Sequence, residues 1–307
     1  MDLGIAFAIF AMGLAFGSFL NVCVYRLPRD LSPILPSSKC PHCNAKIRFY
    51  DNIPVLSWLL LGGRCRNCQA HITPRYLIVE LLTGVLFLAS YAHFGFTLAT
   101  IKYCAFAFLL LGLIFTDAET QLLPDKMTLP GLGLGIVFSV FVPVNDVASQ
   151  MLNGALNLPV SDDILWRVLS LCDSLLGAAI GAAFIYGAGA IYLRARGVEG
   201  MGFGDVKLMA MVGAFLGLKL TILTIFAASI SGSLFGLSTV LSVWIKRTRR
   251  RIQRFHEPAR EARSRAWESA RIALRRHQMP FGVFLGGMAI VAFFFGDEFL
   301  RWYWRLL

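Results

Sequence analysis

Long apolar runs separated by short polar connections cover most of the chain, and this pattern predicts a helical membrane protein. Apolar runs of 18 or more residues are typical of helices that cross a bilayer. We predict about eight transmembrane helices, at roughly residues 3–25, 76–95, 98–116, 127–143, 168–193, 206–217, 220–245 and 281–298. Residues 3–25 are too long, with too few basic residues before them, for a cleavable signal peptide, so we interpret them as the first of these helices.

The composition supports this interpretation, with 57% hydrophobic residues, 15% charged residues and a mean hydropathy of +0.65. These values exclude an ordinary soluble globular protein. The sequence therefore predicts an all-α polytopic membrane protein.

Lysine and arginine are concentrated in two connections and are absent from a third. Residues 26–75 and 246–276 are rich in basic residues, whereas residues 144–166 contain three aspartates and no basic residue. Basic loops stay on the cytoplasmic side. Eight spans then place both termini outside, and Asp117, Asp125 and Asp205 all fall at the cytoplasmic face.

The net charge of +11 raises the question of a nucleic-acid partner. Most of the excess lies in loops that the orientation rule already predicts to be basic. Attraction to anionic lipid headgroups is the simpler explanation. We predict anionic membrane lipids as partners and no nucleic acid.

Four of the seven cysteines form two Cys-x-x-Cys pairs in the 27–75 connection, namely Cys40, Cys43, Cys65 and Cys68. Two such pairs can present four thiolates tetrahedrally to one zinc ion. Disulfides are disfavoured in the cytoplasm, which favours the metal. The pattern predicts a structural Zn²⁺ site and a small cytoplasmic zinc-binding domain between the first and second transmembrane helices; four unligated thiols are the alternative.

Two aspartates lie at the ends of apolar runs, where a carboxylate is costly and indicates function. Asp117 ends one run, and Asp205 follows Gly202 and Gly204 at the start of another. Two adjacent carboxylates form an acid/base dyad in aspartic proteases. The flanking glycines would permit unusual torsions and close approach of a substrate strand. The alternative is that Asp205 only caps a helix, which is the role we favour for Asp125.

Several ordered motifs make the chain resemble bacterial type IV prepilin peptidases, which are leader peptidases and N-methyltransferases of pilus and type II secretion systems. The resemblance covers nearly the whole chain. Besides the doubled Cys-x-x-Cys and Asp117, the motifs are Gly17 to Val22, Asn52 to Trp58, Arg75-Tyr76 to Glu80, Leu123-Pro124-Asp125 and Gly202 to Lys207.

The resemblance implies an intramembrane aspartyl protease of the inner membrane, with its active site at the cytoplasmic face. It implies cleavage of prepilins or pseudopilins after glycine, followed by methylation of the new N-terminus with S-adenosylmethionine. Asp117 and Asp205 match the catalytic pair. The supporting positions are Gly202, Gly204, Asp125 and Lys207, and the candidate methyl-donor ligands are Asn21, Asn52 and Glu80.

We predict five regions: a first helix (1–26), the zinc-binding domain (27–75), the peptidase core (76–245) with an extracytoplasmic insertion (144–166), a basic cytoplasmic loop (246–280) and the last helix (281–307). Residues 258–276 of the loop favour either a helix on the membrane surface or a solvated linker.

A proton-coupled transporter that uses Asp117 and Asp205 is the alternative from another functional class. It gives no role to the cysteines and requires carboxylates near the midplane rather than at one edge. A second alternative is a protease without methyltransferase activity.

Overall fold

The computed structural model describes residues 2–144, 163–198, 200–255, 258–276 and 280–306, and every long regular element in these ranges is a helix. The α-helices are α1 (Leu3–Arg26), α2 (Leu56–Leu60), α3 (Arg75–Phe94), α4 (Leu98–Thr120), α5 (Asp125–Ser139), α6 (Asp163–Arg196), α7 (Phe203–Phe255), α8 (Ala259–Arg276) and α9 (Phe281–Trp304). The predicted all-α class is confirmed.

Six of the described helices are long and apolar enough to cross a membrane: α1, α3, α4, α6, α7 and α9. The prediction of about eight spans differs for two reasons. Helix α5 occupies one predicted span but has only 15 residues. Helix α7 is counted once, although it contains the predicted spans 206–217 and 220–245. The chain is a multi-pass membrane protein.

Helix α7 consists of two segments joined at Gly217, whose φ of 79° and ψ of 178° are not helical. The first segment begins beside the first turn of α9. Just after the break, Lys219 pairs with Asp297 near the far end of α9, at 2.7 Å. Phe235 then lies beside Phe284 in the first turn again, with ring centroids 5.5 Å apart. The chain therefore reverses direction at Gly217.

Helices α1 and α4 run side by side in the same direction. Phe16 lies against Phe108, with ring centroids 5.9 Å apart. One turn further along, Leu20 lies so close to Gly112 that a Cβ there would be 2.9 Å from the Leu20 side chain. In both contacts the residue number in α4 exceeds that in α1 by the same amount. Because parallel helices rise equally per residue, residue 25 of α1 lies at the depth of residue 117 of α4.

The second segment of α7 continues beyond its contact with the first turn of α9 and ends at Phe255. Helix α8 then runs back along this extension and packs against it. We call this pair, residues 236–255 and 258–276, the basic arm. Trp244 donates its indole N–H to the Arg263 carbonyl at 3.0 Å. Three alanines at i, i+4 spacing on α8 are buried: Ala262, Ala266 and Ala270.

A helix forms at Ala259–Arg276, so the alternative of a solvated linker was wrong. Its three buried alanines pack against α7. That this helix also lies on the membrane surface stays a prediction. The predicted insertion at 144–166 lies mostly outside the described residues, and the five predicted region boundaries stay a prediction.

Candidate active site and metal centre

Asp117 and Asp205 come from different helices and meet at the start of α9. Asp117 lies in the last turn of α4, and Asp205 lies in the first turn of α7. Their side chains are buried, with relative exposures of 5% and 7%. A Cβ added to Gly282 would be 2.8 Å from Oδ2 of Asp117 and 3.3 Å from Oδ1 of Asp205. The fold thus brings both carboxylates against one glycine.

The first turn of α9 also supplies a hydrogen bond to this pair. The backbone N–H of Val283 donates to Oδ2 of Asp117 at 3.0 Å. Free N–H groups at a helix start stabilise negative charge. This contact explains how Asp117 tolerates the C-terminal end of α4, where the helix dipole is unfavourable.

Sequence reasoning did not identify Gly282 or Val283 as site residues. The available signal was Pro280 at the start of the last apolar run, since proline is common where helices begin. Nothing in that pattern indicates which carboxylate the helix start would face.

The two glycines before Asp205 act differently from the prediction. Neither Gly202 nor Gly204 has a positive φ angle, so the expectation of unusual torsions was wrong. At Gly204, a Cβ would lie 2.8 Å from the Cβ of Leu123. Gly204 is therefore needed where α7 approaches the α4–α5 connection, and the close approach of a substrate strand stays a prediction.

Asp125 and Lys207 form an ion pair between α5 and α7, with Nζ 2.6 Å from Oδ1. Pro124 occupies the N-cap of α5 and makes no side-chain hydrogen bond, so the interpretation of Asp125 as a cap was wrong. Asp205 likewise lies inside α7, which begins at Phe203, and does not occupy its N-cap. The pair links the two helix starts beside the carboxylates.

The three candidate methyl-donor residues lie near the junction of α1, α3 and the cysteine loop. Asn21 donates to the Tyr76 carbonyl at 3.0 Å and joins α1 to α3. Glu80 accepts from the backbone N–H of Val55 at 2.7 Å. Asn52 is exposed at the end of a short 3₁₀ helix, Phe49–Asn52.

The four paired cysteines form one cluster. Their sulfur atoms all lie within 4.8 Å of one another, and those of Cys40 and Cys68 are 3.8 Å apart. Ligands about 2.3 Å from a tetrahedral zinc ion are about 3.8 Å apart. The donor set and spacing therefore fit a four-thiolate zinc site.

Each half of the cluster has the same backbone geometry. Cys40 N–H donates to the Ala45 carbonyl, and Cys65 N–H donates to the Ala70 carbonyl, at 3.0 and 2.9 Å. The left-handed residues Asn44 and Gln69 also occupy matching positions, with φ of 55° and 56°. The two halves are therefore repeated turns, and we call them the first and second knuckles (residues 38–47 and 63–72).

At two of the four cysteines the turns favour deprotonated sulfur. Backbone N–H groups of Cys68 and Asn67 donate to Cys65 and lower the pKa of its thiol to about 7. A backbone hydrogen bond from Ala45 lowers the pKa of Cys43 in the same way. Because thiolates rather than thiols bind metal, these hydrogen bonds prepare the cluster for a cation.

Comparison with known proteins decides the family. A model described as the bacterial peptidase A24 N-terminal domain matches residues 11–94, and one described as the type IV leader peptidase family matches residues 104–237. The chain belongs to the type IV leader peptidase family. The first match contains both knuckles, and the second contains Asp117 and Asp205.

Relatives of this leader peptidase carry the name prepilin leader peptidase/N-methyltransferase. One from Aeromonas hydrophila is 30% identical over 96% of this chain and 92% of its own length. One from Dichelobacter nodosus is 35% identical over 76% of this chain and 83% of its own. One from Myxococcus xanthus is 36% identical over 76% of this chain and 63% of its own. No solved structure matches the chain.

The family and these names confirm the prediction of an enzyme, a peptidase with methyltransferase activity. They do not support a transporter. Helix α9 of the leader peptidase, including Gly282, lies beyond both matched regions.

Proposed function

We propose that the chain is a membrane-embedded aspartyl endopeptidase that removes the basic leader of type IV prepilins or pseudopilins after glycine. It then methylates the new N-terminal residue with S-adenosylmethionine. The observation that carries the proposal is the buried placement of Asp117 and Asp205 against the same turn of α9. The names of the relatives support prepilin as substrate and support methylation.

Two carboxylates in one buried space cannot both ionise easily, so they share one proton. We assign the ionised form to Asp117, because it accepts the Val283 N–H. Asp117 removes a proton from water, whose oxygen attacks the scissile carbonyl carbon, while protonated Asp205 donates its proton to the carbonyl oxygen. The resulting gem-diol intermediate returns that proton to Asp205 as the C–N bond breaks, and the leaving amine takes the proton held by Asp117.

The position of the dyad suits this substrate at the cytoplasmic face of the inner membrane. A prepilin has a basic leader followed by an apolar helix, so the leader stays in the cytoplasm and the helix enters the bilayer. The scissile bond between them then lies at the cytoplasmic interface. The basic connections at 26–75 and 246–276 favour this orientation of the enzyme.

Two groups complete the proposal. The four cysteines would hold a structural zinc ion with no position left open for water. S-adenosylmethionine would supply an electrophilic methyl group for the free amine that cleavage produces.

The test is prepilin cleavage in liposomes by wild type, Asp117→Asn and Asp205→Asn. Each substitution keeps the shape of the side chain and removes the acid. We expect each to lose at least about 100-fold in cleavage rate, the scale of general acid/base catalysis. Asp297→Asn, at the far end of α9, is the control and should cut normally. Cleavage at the wild-type rate by either dyad variant would remove the proposed mechanism.

A further inference from the structure

A cavity of about 430 Å³ lies between the cytoplasmic half of α1 and the loop that carries the first knuckle. This volume is within the range of about 300–1,000 Å³ that is typical of small-molecule sites. Six lining residues matter here: Ser18, Phe19 and Val22 from α1, and Pro36, Ser38 and Asn52 from the loop. The cavity is separate from the aspartate pair, and nothing in the cleavage chemistry uses it.

One wall of this cavity is held in place by Arg26. Its guanidinium donates to the carbonyls of Ser32 and Pro36, at 3.0 and 2.7 Å. Both acceptors belong to the loop segment that closes the cavity. Arg26 therefore fixes this segment against α1.

The lining at Pro54 is held by a strained neighbour. Val55, directly after the lining residue Pro54, has φ of 62° and ψ of −53°, which is rare for a β-branched side chain. Its N–H is bound by the carboxylate of Glu80, which also accepts from the Ser18 hydroxyl. Such strain persists where the surroundings enforce it, and it is concentrated at functional sites.

The lining combines the chemistry that a nucleoside requires. Phe19 and the prolines offer apolar surface to a base, while the Asn52 amide can both donate to and accept from an adenine edge. Serine hydroxyls can bind ribose oxygens. The residues present therefore fit the adenosine part of S-adenosylmethionine.

The depth of the cavity also fits methyl transfer. Its lining on α1 extends from Ala15 to Arg26. Residue 25 lies at the depth of Asp117, from the register of α1 and α4 described above. A methyl group held here would lie at the membrane depth where cleavage produces a new amine.

We propose that this cavity binds S-adenosylmethionine, with Asn52 and Ser18 in contact with it and Glu80 as the positioning residue for the wall at Val55. The proposal rests on the methyltransferase part of the proposed function. It places Asn21 outside the binding site, as a brace between α1 and α3.

The test is direct binding of methyl-tritiated S-adenosylmethionine to the full-length protein in detergent micelles. Asn52→Leu removes the amide, and Ser37→Trp fills the cavity from the loop. We expect each to weaken binding at least tenfold, with prepilin cleavage and zinc content unchanged. Ser238→Trp, an exposed serine outside the cavity, is the matched control and should bind normally.

Glu80 is tested by a pair of variants. Glu80→Gln keeps an oxygen acceptor for the Val55 N–H, whereas Glu80→Leu removes it. A positioning role predicts weaker binding for Glu80→Leu and nearly normal binding for Glu80→Gln, with zinc retained by both. Equal weakening by both would contradict that role.

The outcomes separate this inference from the proposed function. If both cavity variants bind the donor as well as the wild type does, the cavity is not the binding site. The proposal of methyltransferase activity would stand in that case. Absence of binding to the wild type would remove the methyltransferase proposal itself. If a variant fails to fold, photo-crosslinking of the labelled donor to the wild type tests the cavity without any substitution. Attachment within residues 15–26 or 33–54 supports the cavity, and attachment only elsewhere overturns it.

Discussion

At the residue scale, the contact between α9 and the two carboxylates leaves no room for a side chain on Gly282. Its helical backbone does not require glycine, since Gly282 has no positive φ angle. The requirement comes from the carboxylate oxygens, 2.8 and 3.3 Å from where a Cβ would be. A methyl group there would displace the Val283 amide from Asp117 and separate the pair.

We therefore expect Gly282→Ala to lose at least about 100-fold in prepilin cleavage, similar to removal of an acid/base group. The matched control is Gly287→Ala in the same helix, where a Cβ would meet no described atom within 4 Å. Alanine is the better helix former by about 1 kcal/mol, so the control should be at least as stable as wild type. Cleavage kinetics and thermal unfolding of both proteins measure this. Normal cleavage by Gly282→Ala would show that the contact is not functional.

The sequence could single out both aspartates as candidates but gave no indication of this glycine. A carboxylate at the edge of an apolar run is costly in any fold, so residue type and position alone single it out. The partner of Asp117 lies 166 residues further along the chain. Tertiary packing decides which helix start faces which helix end. A single sequence carries no local signal for this pairing.

At the element scale, the two knuckles depend on a shared centre rather than on a hydrophobic core. Each is a short turn closed by a few backbone hydrogen bonds, and several flanking side chains are exposed. Small elements of this kind usually obtain their folding free energy from the metal. The dyad, in contrast, is built by α4, α7 and α9.

This separation gives a prediction for Cys43→Ser. We expect its zinc content to fall close to zero and the loop between Ser38 and Ile72 to become sensitive to added protease, because one of the four metal ligands is gone. Prepilin cleavage should persist, since the aspartates are held by other helices. Zinc analysis and limited proteolysis measure the change, with Cys172→Ser, outside the cluster, as control. A full zinc complement in Cys43→Ser would exclude the four-cysteine site.

The reversal in α7 depends on one residue with a backbone conformation that is essentially limited to glycine. With φ of 79° and ψ of 178°, Gly217 lies where a side chain costs about 1–3 kcal/mol. We expect Gly217→Ala to lower the unfolding temperature of the protein in detergent. Gly187→Ala, where a Cβ would meet no described atom within 4 Å, should leave it unchanged or raise it. Equal stability of the two variants would contradict the strain argument.

Periodicity predicted most of these helices but not what covers them. The gap between the predicted spans 206–217 and 220–245 was visible because glycines and a lysine interrupt the apolar run. The helix at 258–276 was also visible, although its neighbour was not. Its buried alanines carry no signal for a particular apolar neighbour, and the second segment of α7 is long enough to pack against them.

At the scale of the whole molecule, the candidate functional groups lie toward one face. Arg75, at the start of α3, pairs with Glu119 two residues beyond Asp117. The loop with the knuckles therefore begins its return into the membrane beside the dyad. The basic arm leaves from the same face, where Phe235 contacts the first turn of α9. Cleavage and methyl transfer are thus proposed for neighbouring parts of one surface.

The contact between α9 and Asp117 also has a consequence for biosynthesis. Translation produces α4 and the start of α7 before α9, so a growing chain contains both aspartates well before it contains Val283. Until α9 is inserted, the Val283 amide is not available to Asp117. From the proposed mechanism, we expect a chain that is arrested before α9 to leave prepilin and neighbouring membrane proteins uncut.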